Sequence, residues 1–299
     1  MHDPCTRKWE DSGMTSPQTS TEKPTLAGRT IIMSGGSRGI GLAIATRAAK
    51  DGANVAIIAK TAEPHPKLEG TIYTAAEQIE QAGGTALPIL GDVRDEESIK
   101  SAVAQTVERF GGIDIVVNNA SAIDLTGSLE VPAKKFDLMH DINTRGTFLL
   151  SRTAIPHLAE SNDPRILTLS PPLNLDPKWL GVFPAYMLSK YGMTLATLGL
   201  AHEFSDGRED GGQIAANCLW PKTMIRTAAV TNVIGAQFAD HTRSPEVYAD
   251  SAHIALTAPD FGTGQTLLCE DVLAAAGVTD FDKYSPGVAE EDLAPDAFV

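Results

Sequence analysis

Two residues spaced four apart carry the most suggestive chemistry in this 299-residue chain: Tyr186 and Lys190, in the run Ala185-Tyr186-Met187-Leu188-Ser189-Lys190-Tyr191-Gly192. On a helix that spacing puts both side chains on one face. A phenol with a pKa of about 10 is a poor acid–base catalyst at neutral pH, and a nearby ammonium favours its phenolate and draws the pKa toward the working range. Such a pair also arises by accident on helix surfaces, so its meaning depends on what accompanies it.

A second group is the run Ser34-Gly35-Gly36-Ser37-Arg38-Gly39-Ile40-Gly41, placed between a β-rich segment and a helical one. Glycines at 35, 39 and 41 permit a tight turn, close backbone approach to a pyrophosphate and close packing of helix on strand. The free N–H groups and positive dipole end around Ser37, Arg38 and Ile40 then favour phosphate charge. Sites that prefer NAD place Asp or Glu at the end of the second strand, to accept from the ribose hydroxyls. Here that strand ends in Lys60. A carboxylate would repel a 2′-phosphate, whereas Lys60 and Arg38 can pair with it, so NADP(H) is the expected cofactor. The plainer alternative makes Lys60 a solvated loop lysine and leaves Arg38 facing water.

These residues must be positioned by something, and the hydrophobic pattern says what. Short apolar runs at 30–33, 54–59, 86–90, 114–117, 165–169 and 213–219 alternate with segments such as 40–51, 71–81 and 96–110, whose apolar residues recur at three and four. Nearly continuous apolar strands suit a sheet covered on both faces. The expected architecture is α/β: a single doubly wound Rossmann domain with a parallel sheet of about seven strands, the last near 264–269, and helices on both faces. It should occupy residues 25–299, after a disordered leader over 1–24 that is rich in Thr, Ser and Pro; Met14 is an alternative start. The insertions at 61–66 and 171–184 lengthen the loops after the second and fifth strands, on the side where such sheets bind ligands.

Composition narrows the partners. Lys plus Arg total 24 against 38 Asp plus Glu, a formal charge of -14, which argues against nucleic acid and anionic membranes. Cys5, Cys218 and Cys269 have neither disulfide-framework nor metal-ligand spacing, so no metal is expected and a reducing, cytoplasmic setting fits. No apolar run is long enough to span a membrane, and no secretory signal opens the chain. The sequon at Asn119-Ala120-Ser121 then reads as a coincidence of another motif.

Taken in order, Gly35-x-x-x-Gly39-x-Gly41, Asp92 after the third strand, Asn118-Asn119-Ala120 after the fourth, Asn143 before Gly146, and Tyr186-x-x-x-Lys190 resemble the short-chain dehydrogenase/reductase family. The resemblance runs from about residue 28 to the last strand. Longer runs, among them 60–68, 118–123, 169–175 and 219–223, resemble the hydroxysteroid dehydrogenase-like branch of that family and its bacterial relatives. Members of that branch carry an additional sterol-carrier domain for which this chain is expected to be too short, and the ending Ala297-Phe298-Val299 is not a peroxisomal Ser-Lys-Leu signal.

The resemblance implies NADP(H)-dependent interconversion of a carbonyl compound and its alcohol. Tyr186 would transfer the alcohol proton, Lys190 would lower its pKa and hold the nicotinamide ribose, and Asn143 would keep a water in a relay to solvent. Asp92 and Val93 would meet the adenine, Asn119 and Ala120 would line the cofactor channel, and Pro221 and Thr223 would lie near the nicotinamide. Each also has a local reading: Asp92 as a helix cap, Asn119 as a turn former, Asn143 as a backbone bridge.

The sequence departs from the family at the serine that donates to the substrate oxygen. Aligning 165–169 with the fifth strand puts Pro171 at that position; Ser170 is the nearest serine and is taken as the catalytic candidate, with Asn174 as an alternative donor. Ser121 and Lys222 stand where the family commonly has glycine. Trp179, Leu180, Phe183, Met187, Trp220 and Met224 suggest an apolar face for a lipophilic substrate, or plain packing. The long apolar helices around 143–156 and 186–204 suggest a homodimer or homotetramer. The rival to an enzyme is an NADP(H)-binding sensor with little turnover, motivated by the missing serine.

Overall fold

All seven expected apolar runs become strands of one parallel sheet. The computed structural model describes residues 25–64, 70–205, 213–228, 230, 235, 240–258 and 261–299. The expected leader and the end of the 61–66 insertion lie outside the described residues. The strands are β1 Thr30–Ser34, β2 Asn54–Ala59, β3 Thr85–Leu90, β4 Ile115–Asn118, β5 Arg165–Thr168, β6 Ala215–Trp220 and β7 Thr266–Leu268, in the order β3-β2-β1-β4-β5-β6-β7. Because strand side chains alternate between faces, Ile31 and Met33 enter one core with Val55 and Ile57, while Ile32 enters the other with Ala56 and Ile58.

The helices are α1 Gly39–Ala49, α2 Ile72–Gln81, α3 Glu96–Phe110, α4 Ala133–Met139, α5 Thr147–Leu158, α6 Pro177–Val182, α7 Pro184–Glu203, α8 Glu246–Thr257 and α9 Cys269–Ala275; α4 and α6 pack in a third cluster, around Tyr186, and not on these two cores. Ile44, Ala45 and Ala48 of α1 bury against the first core with Val247 and Ala252 of α8. Ile99 of α3 and Leu150 of α5 bury in the second. Helices on both faces make the sheet doubly wound. The strand order reverses between β1 and β4, which opens a crevice at their carboxyl ends.

Two local features bear on the site. Between α4 and α5 the chain forms a π-helical turn, His140–Gly146, so the helix expected from Asn143 is reached through a widened turn. Helix α7 starts with Pro184, whose fixed φ and missing N–H are tolerated only in a first turn, and this places Tyr186 and Lys190 in its first two turns.

Candidate active site

The glycine turn forms a cradle and packs too closely against the β4 loop for side chains at Gly35 and Gly41. Gly35 has φ +77°, and a Cβ there would lie 2.9 Å from the Ala120 backbone; a Cβ on Gly41 would lie 2.5 Å from the Asn119 amide nitrogen. That amide locks the turn to β4, since Asn119 Nδ2 donates to the Ser34 and Gly35 carbonyls at 2.9 and 2.8 Å. The Ser34 hydroxyl accepts from the Asn119 and Ala120 N–H groups. Asn119 is thus a cross-strand tie, more than the turn former of its local reading. Ser37 is buried in the turn, and Ile40 packs on the first core.

Beside the cradle, Arg38 and Lys60 line a cavity of about 480 Å³ with Thr61, Glu63 and Leu90. Arg38 Nη2 donates to the Gly70 carbonyl at 3.3 Å, while its Nη1 is buried without a hydrogen-bond partner among the described residues. Lys60 Nζ pairs with Asp92 at 3.3 Å, and Arg94 chelates the same carboxylate. The Arg94 hydrogen bonds, followed at a distance by Lys60, hold the Asp92 carboxyl down at about 2, against the effect of burial. Asp92 is not the cap of α3; Asp95 fills that place by accepting from the Glu97 N–H. Val93 is buried and packs against Gly146. A nicotinamide dinucleotide fits these residues: Gly35 and Gly41 leave no room for a Cβ, Gly39 adopts a left-handed φ of +55°, and a guanidinium nitrogen of Arg38, beside the adjacent cavity, lacks an acceptor among the described residues.

At the carboxyl ends of β4, β5 and β6, Tyr186 and Lys190 are both almost fully buried. Lys190 Nζ donates to the Leu169 carbonyl at 2.6 Å and lies 5.0 Å from the centre of the Trp220 ring. Burial lowers its pKa to about 7, opposed by the nearby Cys218 thiol and the Asp296 carboxyl. Burial likewise pushes the Tyr186 phenol well above the ordinary tyrosine range, helped by Asp296 and opposed by the Ser121 hydroxyl beside it. Desolvation dominates at both groups, raising the phenol and lowering the ammonium, so burial works against the phenolate–ammonium pairing expected of them.

Asn143 sits in the π-turn, wholly buried, and its amide pairs with both the N–H and the carbonyl of Ala122, at 2.7 and 2.9 Å. It also donates to the Ser189 hydroxyl on α7 at 2.9 Å. Its side chain is therefore the backbone bridge of the local reading, one that joins the β4 loop to the tyrosine helix. Pro221 and Thr223 follow β6, where the Thr223 hydroxyl donates to Glu270 at the start of α9 at 3.0 Å.

The Ser170 hydroxyl is buried, has no nitrogen or oxygen partner among the described residues, and lies against the Cys218 thiol, which neighbours Lys190. Asn174 spends one amide hydrogen on the Phe298 carbonyl, and its backbone N–H and carbonyl are held by the Tyr191 hydroxyl. The hydroxyl next to Tyr186 belongs to Ser121, which sequence reasoning noted only as a departure from glycine. The other group it missed is Asp296, a buried carboxyl whose pKa burial raises to about 7. An acidic residue between Pro295 and three apolar residues was the available signal.

A family profile for short chain dehydrogenases matches residues 29–236, a span that takes in β1 to β6 and the crevice between β1 and β4. The chain belongs to the short-chain dehydrogenase family. It is 55% identical over 276 residues to hydroxysteroid dehydrogenase-like protein 2 of Danio rerio, covering 92% of this chain and 64% of that protein. The human protein of the same name is 50% identical over the same share of each. The chain thus spans about 64% of the length of these curated relatives. A short chain dehydrogenase from Mycobacterium thermoresistibile superposes with a TM-score of 0.85 at 57% identity, covering 92% of this chain and 96% of that one.

Proposed function

We propose that the protein reduces a lipophilic ketone or aldehyde with NADPH, or oxidises the matching alcohol with NADP⁺. When bound, the nicotinamide supplies or accepts the hydride. Arg38 and Lys60 favour the 2′-phosphate: Lys60 can exchange its exposed pairing with Asp92 for a phosphate, and Asp92 keeps Arg94. Tyr186 transfers the proton at the substrate oxygen, Lys190 in its charged form favours the phenolate and holds the nicotinamide ribose, and Asn143 keeps a water in the relay towards solvent. Ser121 supplies the hydroxyl that the family's serine would have given. Adenine contacts fall to Asp92 and Val93, the channel to Asn119 and Ala120, and the nicotinamide side to Pro221 and Thr223.

The observation that carries this reading is the shared burial of Tyr186 and Lys190 at the strand ends that also hold the glycine cradle. Trp179, Phe183, Met187 and Trp220 pack in one apolar cluster with Tyr186, which supports an apolar substrate. Leu188 and Leu195 on α7 and Phe148 on α5 are exposed on the helices expected to pair with a second copy, which supports a homo-oligomer. No helix among the described residues is long and apolar enough to cross a membrane.

The test is hydride transfer with NADPH and NADH across ketones graded in apolar size, for the parent and Tyr186→Phe, with cofactor affinity measured by fluorescence. Turnover should favour NADPH and apolar ketones and fall at least a hundredfold in Tyr186→Phe, with cofactor affinity retained, as expected for loss of a positioned acid–base group. Cofactor binding without turnover by the parent on any substrate would favour the sensor.

A further inference from the structure

The segment 293–299 lies across the site and is pinned to both of its walls. Residues 294–296 run antiparallel to 222–224: Thr223 pairs with Pro295, Met224 N–H donates to the Ala294 carbonyl, and Asp296 N–H donates to the Lys222 carbonyl. Trp220 Nε1 donates to the Ala297 carbonyl at 2.9 Å, and Asn174 Nδ2 to the Phe298 carbonyl at 3.2 Å. These ties reach the loop after β6 on one side and the loop after β5 on the other.

They carry Phe298 into an aromatic box. Its side chain is fully buried, with ring centres 5.3 Å from Tyr191, 5.8 Å from Trp179, and 6.3 Å from both Tyr186 and Trp220. It is also the one non-glycine among the described residues with a left-handed backbone, φ 72°. Such a conformation in a bulky residue persists only where surrounding contacts enforce it. On its far side Phe298 lines a cavity of about 590 Å³ with Pro172, Leu173, Leu175, Lys222 and Leu268, and Tyr186 is not among the residues that line it.

We infer that Phe298 is a specificity-determining residue: its ring stands between Tyr186 and the cavity, and so limits how long an apolar substituent the substrate carbonyl can carry. The inference rests on Tyr186 as the proton-transfer residue. Its physical basis is that a ring packed on Tyr186 and lining the cavity, on a segment held to the β5 and β6 loops by four main-chain and side-chain hydrogen bonds, cannot yield without losing them. Truncating it to alanine removes the partition and opens Tyr186 to an apolar-lined cavity. A longer chain then gains burial for each added methylene.

The experiment compares the parent, Phe298→Leu and Phe298→Ala on methyl ketones of increasing chain length with NADPH, measuring kcat and KM separately. In parallel, binding of the same ketones is read from tryptophan fluorescence in a Tyr186→Phe background, where Trp220 and Trp179 report and no turnover is needed. Phe298→Ala should move the chain-length optimum upward, with the ratio of kcat/KM for long over short ketones rising at least tenfold and the binding series shifting in step; Phe298→Leu should fall between. Equal changes for all lengths overturn the inference: a uniform gain would mark an obstructing plug and a uniform loss a purely structural ring. If the parent turns over nothing, the catalytic reading fails on its own, and the binding series still decides, since an unshifted series or no binding at all refutes the partition. Phe298→Leu keeps the apolar bulk and guards against a variant that does not fold.

Discussion

A phenol and an ammonium on one helix face attract each other's charged forms, but at Tyr186 and Lys190 both groups are so far removed from water that the neutral forms gain. Tyr186 is pushed up and Lys190 down to about 7, so burial works against the phenolate and the ammonium on which proton transfer draws. Against that background Ser121 matters more than its small size suggests, because its hydroxyl is the one named influence that lowers the tyrosine pKa. Replacing Ser121 with alanine should raise the pKa of Tyr186 further. The sign follows: alcohol oxidation needs the phenolate, so its pH–rate profile moves to higher pH, whereas carbonyl reduction needs the phenol and persists to higher pH. If Ser121 also donates to the substrate oxygen, kcat/KM falls by on the order of a hundredfold, the scale of losing one donor to a developing oxyanion, about 3 kcal/mol. Profiles of kcat/KM in both directions for the parent and Ser121→Ala provide the check, and superimposable profiles would return the role to another group.

At the scale of elements, the site is an agreement between α7 and the π-turn. Thr144 Oγ1 donates to the Ser189 carbonyl at 2.9 Å, and Asn143 donates to the Ser189 hydroxyl, so Ser189 is gripped twice between the two catalytic positions of α7. The approach depends on Gly192, where a Cβ would stand 2.4 Å from Thr144 Oγ1 and 2.8 Å from its Cγ2. Gly192→Ala should force the elements apart. Overpacking of this kind costs about 1–3 kcal/mol, so Tm should drop by on the order of 5 °C, and kcat should fall more than cofactor affinity because the cradle is remote. Calorimetry and single-turnover kinetics on this variant would test it. The sheet was legible in the sequence because each strand is an apolar run bounded by helical periodicity, and β2 matched to the residue. Strands β4 and β6 were placed about one residue early, since alternation alone does not say where pairing stops. The π-turn was not legible, because its cause is tertiary: an asparagine amide answering the Ala122 backbone. Nor was the path of Phe298, a lone aromatic with no period, whose position is set by bonds to residues more than seventy positions away.

Across the whole molecule, the cradle helix α1 is tied to the edge of the fold through one carboxylate. Asp51 accepts from the Leu26 N–H at 2.9 Å, from Arg47 on α1 at 3.0 Å, and is 2.7 Å from His253 Nε2 on α8. It therefore joins the start of the described chain, the helix that follows the glycine turn, and the helix packed beside it. Burial alone would raise its pKa, but the hydrogen bonds from Leu26, His253 and Arg47 outweigh it and bring the carboxyl from 3.8 to about 2. Since the folded pKa is the lower one, the unfolded chain takes up the proton first as pH falls. The contribution, about 2 kcal/mol by linkage, is complete above pH 3.8 and disappears as pH approaches 2. Asp51→Asn should thus be destabilised by about that amount at neutral pH, while the difference from the parent closes across the acid range. Denaturant titrations at pH 7 and at steps below pH 4 would measure it. A gap that stayed constant with pH would mean that Asp51 acts through neutral hydrogen bonds alone, and that the tie between α1 and α8 owes nothing to charge.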